Sequence, residues 1–163
     1  KIGTMWSNGI LSVATEHVSS NIANSLVKII GEEKKSRSIH GKIVLTTPVG
    51  EEHNLGCNVM ESFLLNKGFT TFNLSPSTPA ESLLNFMRSF TPDAIIISIT
   101  LPDSIPSGQR LTKKIREFSK RIPIFVGGQA FKNGTKAKFD ANIIDDINSL
   151  SQLPKIIKSR KNN

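Results

Sequence analysis

Beyond residue 41 the chain repeats one unit: a short run of Ile, Val and other apolar residues, a loop, and a stretch with helical spacing. The runs are Lys42 to Thr47, Thr70 to Leu74, Ala94 to Ile99, Ile122 to Val126 and Asn142 to Ile144. Helical spacing follows over Leu55 to Lys67, Pro79 to Phe90, Gly108 to Ser119 and around Ser149 to Lys158. Runs so short and so continuously apolar suit strands covered on both faces, and alternation with helices makes neighbouring strands parallel. The pattern predicts an α/β fold with a doubly wound, five-stranded parallel sheet. Ligands of such sheets sit beyond the carboxyl ends of the strands, so the loops to search are Thr46 to Gly56, Ser75 to Thr78, Ser98 to Gly108, Gly127 to Asn133 and Asp145 to Asn148.

The region before this repeat is different in kind. From Met5 to Ile30 the apolar residues Trp6, Ile10, Val13, Ala14, Val18, Ile22, Leu26 and Ile29 recur at three and four spacing, which predicts an amphipathic helix. Asn8-Gly9 delays its start and Gly31 suits its end. Glu32 to Gly41 carries five charges, two serines and one apolar residue, Ile39, and reads as a linker. The expected organisation is a helical segment over 1–31, a linker over 32–41 and an α/β domain over 42–163. At 163 residues the chain has room for one ordinary domain and a short extension.

Composition removes several classes. No apolar run approaches the roughly 20 residues of a membrane span, and the N-terminus lacks the apolar core and cleavage site of a signal peptide, so the cytoplasm is the expected location. The single cysteine, Cys57, excludes an intrachain disulfide and a cysteine-based metal site, and is expected to be a small buried residue on a helix. The formal net charge of +8 would suit a polyanion. The charge is spread over Lys34 to Arg37, Arg110 to Lys120, Lys132 to Lys138 and Lys155 to Lys161, and few aromatics accompany it, which favours a solvated basic surface over a nucleic-acid face.

Three loops carry chemistry. In the first, Glu51-Glu52-His53-Asn54-Leu55-Gly56 puts an imidazole at the sheet mouth with a carboxylate two residues earlier, a pairing that fixes a tautomer and raises basicity toward a metal. The third strand ends Ser98-Ile99-Thr100, two hydroxyls on one side of an extended chain. The fourth ends Gly127-Gly128, where paired glycines permit the close approach of a bulky flat ligand. Each element alone is equally at home in an ordinary cap, strand end or turn.

Together they form a pattern: Glu51-x-His53-x-x-Gly56, forty-one residues, Ser98-x-Thr100, twenty-six residues, Gly127-Gly128. This resembles the signature of the cobalamin-binding domain family, Asp-x-His-x-x-Gly, Ser-x-Leu and Gly-Gly, over about Gly41 to Lys158. The resemblance implies a flavodoxin-like (Rossmann-like) sheet that binds cobalamin base-off and His-on. His53 would be the lower axial ligand of the cobalt, with Glu51 hydrogen-bonded to it and Glu52, Asn54 and Gly56 in the same loop motif. Ser98 and Thr100 would line the slot of the dimethylbenzimidazole tail, and Gly127 and Gly128 would lie against the nucleotide loop. Glu51 stands where Asp is commoner, and Thr100 where Leu is commoner; Glu is a longer carboxylate and Thr keeps a methyl and adds a hydroxyl.

The N-terminal segment narrows the resemblance. Trp6 followed after nine residues by Glu16-His17 is similar to the Trp-x9-Glu-His motif of CarH-type cobalamin photoreceptors. In one continuous helix Trp6 and His17 are about three turns apart and face the same way. The resemblance implies that 1–31 is the last part of a helical cap over the upper face, with Trp6, Glu16 and His17 against an adenosyl group. Ser7 stands where such proteins can carry a His that captures cobalt from above. The function implied is a non-enzymatic, light-responsive adenosylcobalamin sensor or regulator, acting as a homo-oligomer or with a regulatory partner protein; the chain shows no DNA-binding motif of its own. The alternative is a corrinoid carrier of a methyltransferase system, holding methylcobalamin. A third reading, a fold that has lost its cofactor and serves as an interaction module, is weaker.

Overall fold

The five apolar runs fold into a single parallel sheet in the computed structural model, which describes residue 5 and residues 8–32, 40–132 and 137–161. The strands are β1 (Lys42–Thr46), β2 (Thr70–Asn73), β3 (Ala94–Ser98), β4 (Ile124–Gly127) and β5 (Asn142–Ile144), in spatial order β2-β1-β3-β4-β5. Five helices accompany them among the described residues: α1 (Val13–Glu32), α2 (Leu55–Asn66), α3 (Ala80–Ser89), α4 (Ile105–Phe118) and α5 (Leu153–Lys161). This is the doubly wound sheet that the strand and helix pattern predicts, in the flavodoxin-like form that the resemblance implies. None of these helices is long and apolar enough to cross a membrane.

Strand alternation sorts the apolar side chains into two cores. Val44, Ile95, Ile97, Ile124 and Val126 meet Leu83 and Met87 of α3 and Leu111 and Ile115 of α4. Ile43, Leu45, Ala94, Ile96 and Phe125 meet Cys57 and Leu64 of α2 and Leu153 and Ile157 of α5. Burial of each such Ile or Leu contributes about 1.5–3 kcal/mol, which explains why runs of four or five residues suffice as strands.

One helix start differs from the pattern, and a second is delayed as the Asn8-Gly9 pair predicts. α4 begins at Ile105 rather than Gly108, because a 3-10 turn at Pro102–Ser104 leads directly into it and Pro106 fits a helix's first turn. The loop after β3 is correspondingly short. α1 begins at Val13 rather than Met5: Asn8 and Gly9 form a turn with Gly9 at φ +71°, and the Ser12 hydroxyl caps the helix by accepting the Thr15 N–H at 3.2 Å.

The orientation of α1 is unexpected from its periodicity. It packs on α2 through a small and polar face, in which Glu16, Ser19, Ser20, Ala23, Asn24 and Val27 are half-buried. The apolar stripe points away: Val18, Ile22, Leu26 and Ile29 are 59, 57, 53 and 61% exposed.

Candidate cofactor site

Strand order reverses between β1 and β3: the chain leaves β1 for β2 on one side, and leaves β3 for β4 on the other. The two loops diverge there, the place at the carboxyl edge where sheets of this order form their ligand crevice. His53 lies in the loop after β1, and Thr100 and Leu101 lie just past β3.

Glu51 organises this crevice. Its carboxylate is fully buried yet accepts four hydrogen bonds. One oxygen takes the His53 ring Nδ1–H at 2.7 Å and the His53 backbone N–H at 3.1 Å; the other takes the backbone N–H groups of Thr100 and Leu101, both at 2.9 Å. Burial pushes its pKa up, but the Leu101 N–H, the imidazole and the N–H groups of His53 and Thr100 together outweigh burial and hold it below the ordinary 4.5. The acid is therefore ionised at neutral pH, and an ionised carboxylate only accepts. The proton must then sit on Nδ1 of His53, so that in the neutral imidazole the lone pair is the one on Nε2, on a ring that is one-third exposed, at 34%.

The backbone of this loop is fixed as well. The Thr47 hydroxyl donates to the Glu51 carbonyl at 2.9 Å and accepts the Ser77 N–H at 2.7 Å; Ser77 N–H also reaches the Glu51 carbonyl at 3.1 Å, and the Ser77 hydroxyl accepts the Gly50 N–H at 3.0 Å. Ser77 and the Leu101 amide were not legible in the sequence, because long stretches of chain separate them from Glu51; Thr47 lies only four residues away, but a hydroxyl bonded to a backbone carbonyl belongs to no motif.

Above the apolar layer of Leu45, Ile96 and Phe125 the same side of the sheet turns small. Ser98 is buried, pairs in register with Gly127, and lies so close to Gly56 that a Cβ there would stand 2.6 Å from its hydroxyl. Gly56, Ser98 and Gly127 thus keep side-chain bulk away from the carboxyl end of this face. Gly128 answers a different need: at φ +126°, with a would-be Cβ 2.2 Å from the Ile99 carbonyl, it permits the turn after β4.

The structure brings together Glu51, His53, Asn54, Gly56, Ser98, Thr100, Gly127 and Gly128 at one edge. Thr100 enters through its backbone N–H to Glu51. Glu52 is exposed and takes no part in the Glu51–His53 pair. Asn54 precedes α2 without capping it; its side-chain oxygen is held instead by Asn24 of α1, at 3.2 Å. Cys57 is buried, and burial pushes its thiol up to about 12, so it is an inert packing residue. Trp6 lies outside the described residues. Glu16 is nearly buried and accepts the Ser20 hydroxyl at 2.6 Å, whereas His17 is 69% exposed. The expected continuous helix linking Trp6 to His17 is not formed, since the Asn8-Gly9 turn interrupts it.

Fold and site together define a doubly wound α/β module with an acid-backed imidazole at its switch point. The chain belongs to the B12 binding domain family, whose model matches residues 41–147; it is a cobalamin-binding chain. It is 28% identical over 134 residues to the HTH-type transcriptional repressor CarH of Myxococcus xanthus, spanning 81% of this chain and 44% of that repressor. Among solved structures it is similar to the monomethylamine corrinoid protein of Methanosarcina barkeri, with a TM-score of 0.69, 15% identity and coverage of 94% of this chain and 74% of the other. It is also similar to the methanol:cobalamin methyltransferase complex MtaBC of the same organism, with a TM-score of 0.63, 16% identity and coverage of 97% and 61%.

Proposed function

We propose that His53 Nε2 is the lower axial ligand of a bound cobalamin, with the displaced dimethylbenzimidazole tail among Gly56, Ser98 and Gly127, and that the chain is a light-responsive adenosylcobalamin sensor or regulator. The observation that carries the reading is the buried Glu51 carboxylate 2.7 Å from His53 Nδ1, which leaves only Nε2 for a metal.

The donor set fits this group. Among the described residues no three His, Cys, Asp or Glu side chains cluster, and Glu51 is committed to four hydrogen bonds, so a metal at His53 would find one protein ligand, which suits a cobalt already held by a corrin. The small-residue layer suits a flat aromatic tail, and the Ser98 hydroxyl is a hydrogen-bonding group for its ring nitrogen. When bound, cobalamin supplies a cobalt–carbon bond that light can break or a partner protein can use. The chain's own residues do the rest: Glu51 holds the Nδ1 proton and the ring orientation, the Thr100 and Leu101 amides keep Glu51 ionised, and Thr47 and Ser77 hold its backbone.

The regulator reading is supported by the likeness to the Myxococcus repressor and by Glu16-His17 on α1, the segment assigned to the upper cap together with Trp6. In this reading residues 1–31 form the end of that cap and 42–163 the binding domain, acting as a homo-oligomer or with a regulatory partner. A methyltransferase corrinoid carrier is the second reading. What favours it is that the likeness to the Methanosarcina corrinoid protein extends over 94% of the chain, beyond the residues of the family match, together with the exposure of His17.

Absorbance spectra of the purified holo-protein, before and after green light, test the proposal. A light-dependent change with adenosylcobalamin supports the sensor; no change removes it, and turnover with a methyl donor and preference for methylcobalamin support the carrier. His53→Ala is expected to lose the His-on spectrum and to weaken cobalamin binding by more than about 10–100-fold, the cost of losing a partner behind a metal ligand. A wild-type spectrum in that variant would remove His53 as ligand.

A further inference from the structure

Four side-chain amides and one carboxylate form a continuous polar chain from the outer edge of the sheet to the His53 loop. Asn73, at the end of β2, accepts the Ser75 N–H at 3.2 Å and hydroxyl at 2.6 Å on its oxygen; its amide nitrogen donates to Glu61 and to Asn58, each at 3.0 Å. Asn58 donates to Asn24 at 2.8 Å, and Asn24 donates to Asn54, the neighbour of His53, at 3.2 Å. The direction of every link is set. A backbone N–H can only donate and a Glu61 carboxylate can only accept, so Asn73 has one orientation, and each following amide inherits it.

Asn24 is the one member on α1, and it uses both ends of its amide. Glu16 on this face is bonded to Ser20 of its own helix, and the rest of the α1 face against α2 is small or aliphatic: Ser19, Ser20, Ala23 and Val27. Small residues let one helix slide on another at little cost, whereas a half-buried amide with two directional partners has one satisfied position. A polar group in such an interface sets register rather than adding much stability.

We infer that Asn24 is a positioning residue: it latches α1 to the loop that carries His53, and so sets where Glu16 and His17 stand relative to the lower ligand. Discrimination between upper ligands of the cofactor then depends on Asn24, although Asn24 touches neither ligand. This rests on the assignment of α1 to the upper cap made above. Any motion of α1 relative to the α/β body must break the Asn24 links first.

The test uses Asn24→Leu, Asn58→Leu and the double variant in the full chain. Hydrogen exchange of the apo-protein across residues 13–32 is expected to rise on the order of fivefold for each hydrogen bond lost in Asn24→Leu. The double variant should add little to the exchange of Asn24→Leu, since both sever one chain. With cofactor, Asn24→Leu is expected to keep the wild-type His-on spectrum while the ratio of affinities for adenosylcobalamin and methylcobalamin falls on the order of fivefold. Unchanged exchange in Asn24→Leu would overturn the latch. Raised exchange with an unchanged affinity ratio would overturn its role in discrimination. Absence of cobalamin binding by the wild-type chain would instead defeat the proposed function and leave the apo exchange result standing.

Discussion

The crevice at the ends of β1 and β3 and the helix α1 handle polarity in opposite ways. At the crevice a charged group, Glu51, is driven to full burial, and every donor around it is aimed at it. On α1 the polar and small face turns inward while Val18, Ile22, Leu26 and Ile29 stay in contact with solvent. In the first region burial of polarity creates chemistry, an imidazole with one nitrogen committed and the other free. In the second it creates register, because an amide pair in a small-residue interface is satisfied in one position only.

Removing the buried charge should have the largest effect. Glu51→Ala leaves the His53 ring, its amide and the Thr100 and Leu101 amides without their acceptor, and should cost about 3 kcal/mol or more in urea unfolding. The loss should also depend on pH. The folded Glu51 pKa lies below its ordinary value, so the stability it contributes is present above the ordinary carboxylate range and is lost as pH falls through the folded value. The gap in stability between wild type and Glu51→Ala should therefore narrow on acidification; a gap that is constant with pH would mean that Glu51 acts through packing alone.

The next effect concerns the small layer. Gly56→Ala puts a Cβ 2.6 Å from the Ser98 hydroxyl and should cost about 1–3 kcal/mol. Adding Ser98→Ala should restore stability, because the nearest remaining Ser98 atom is at 3.7 Å, while cobalamin affinity should not recover. Recovery of affinity in the double variant would take the tail out of this layer. The smallest effect is expected on the outer face of α1: Ile22→Ser, at a site 57% exposed, should change unfolding by no more than about 0.5 kcal/mol. A loss several times larger would place that face under cover and dissolve the contrast between the two regions.

The apolar runs mark the strands to within two residues, because runs such as Ala94 to Ile99 are continuously apolar and too short for a buried helix. The site motif is legible through the joint spacing of Glu51-x-His53-x-x-Gly56 with Ser98-x-Thr100 and Gly127-Gly128, which carries the family resemblance; the first loop alone would suit an ordinary helix start. Trp6 and His17 show the limit. Periodicity alone reads the stretch between them as one helix, and one Asn-Gly turn with Gly9 at positive φ is enough to interrupt it.

Periodicity also identified α1 as a helix without telling which side it buries, since apolar spacing reports a stripe and not its partner. Partners thirty to fifty residues away, such as Asn24 for Asn54 and Leu101 for Glu51, leave no trace in local spacing. The order of residues determined the alternation of strands and helices and the company His53 keeps, because both are set by side-chain pattern within a few turns of chain. Tertiary structure decided which nitrogen of that imidazole is free and where α1 rests, because both depend on hydrogen bonds whose two ends meet only after the sheet has assembled.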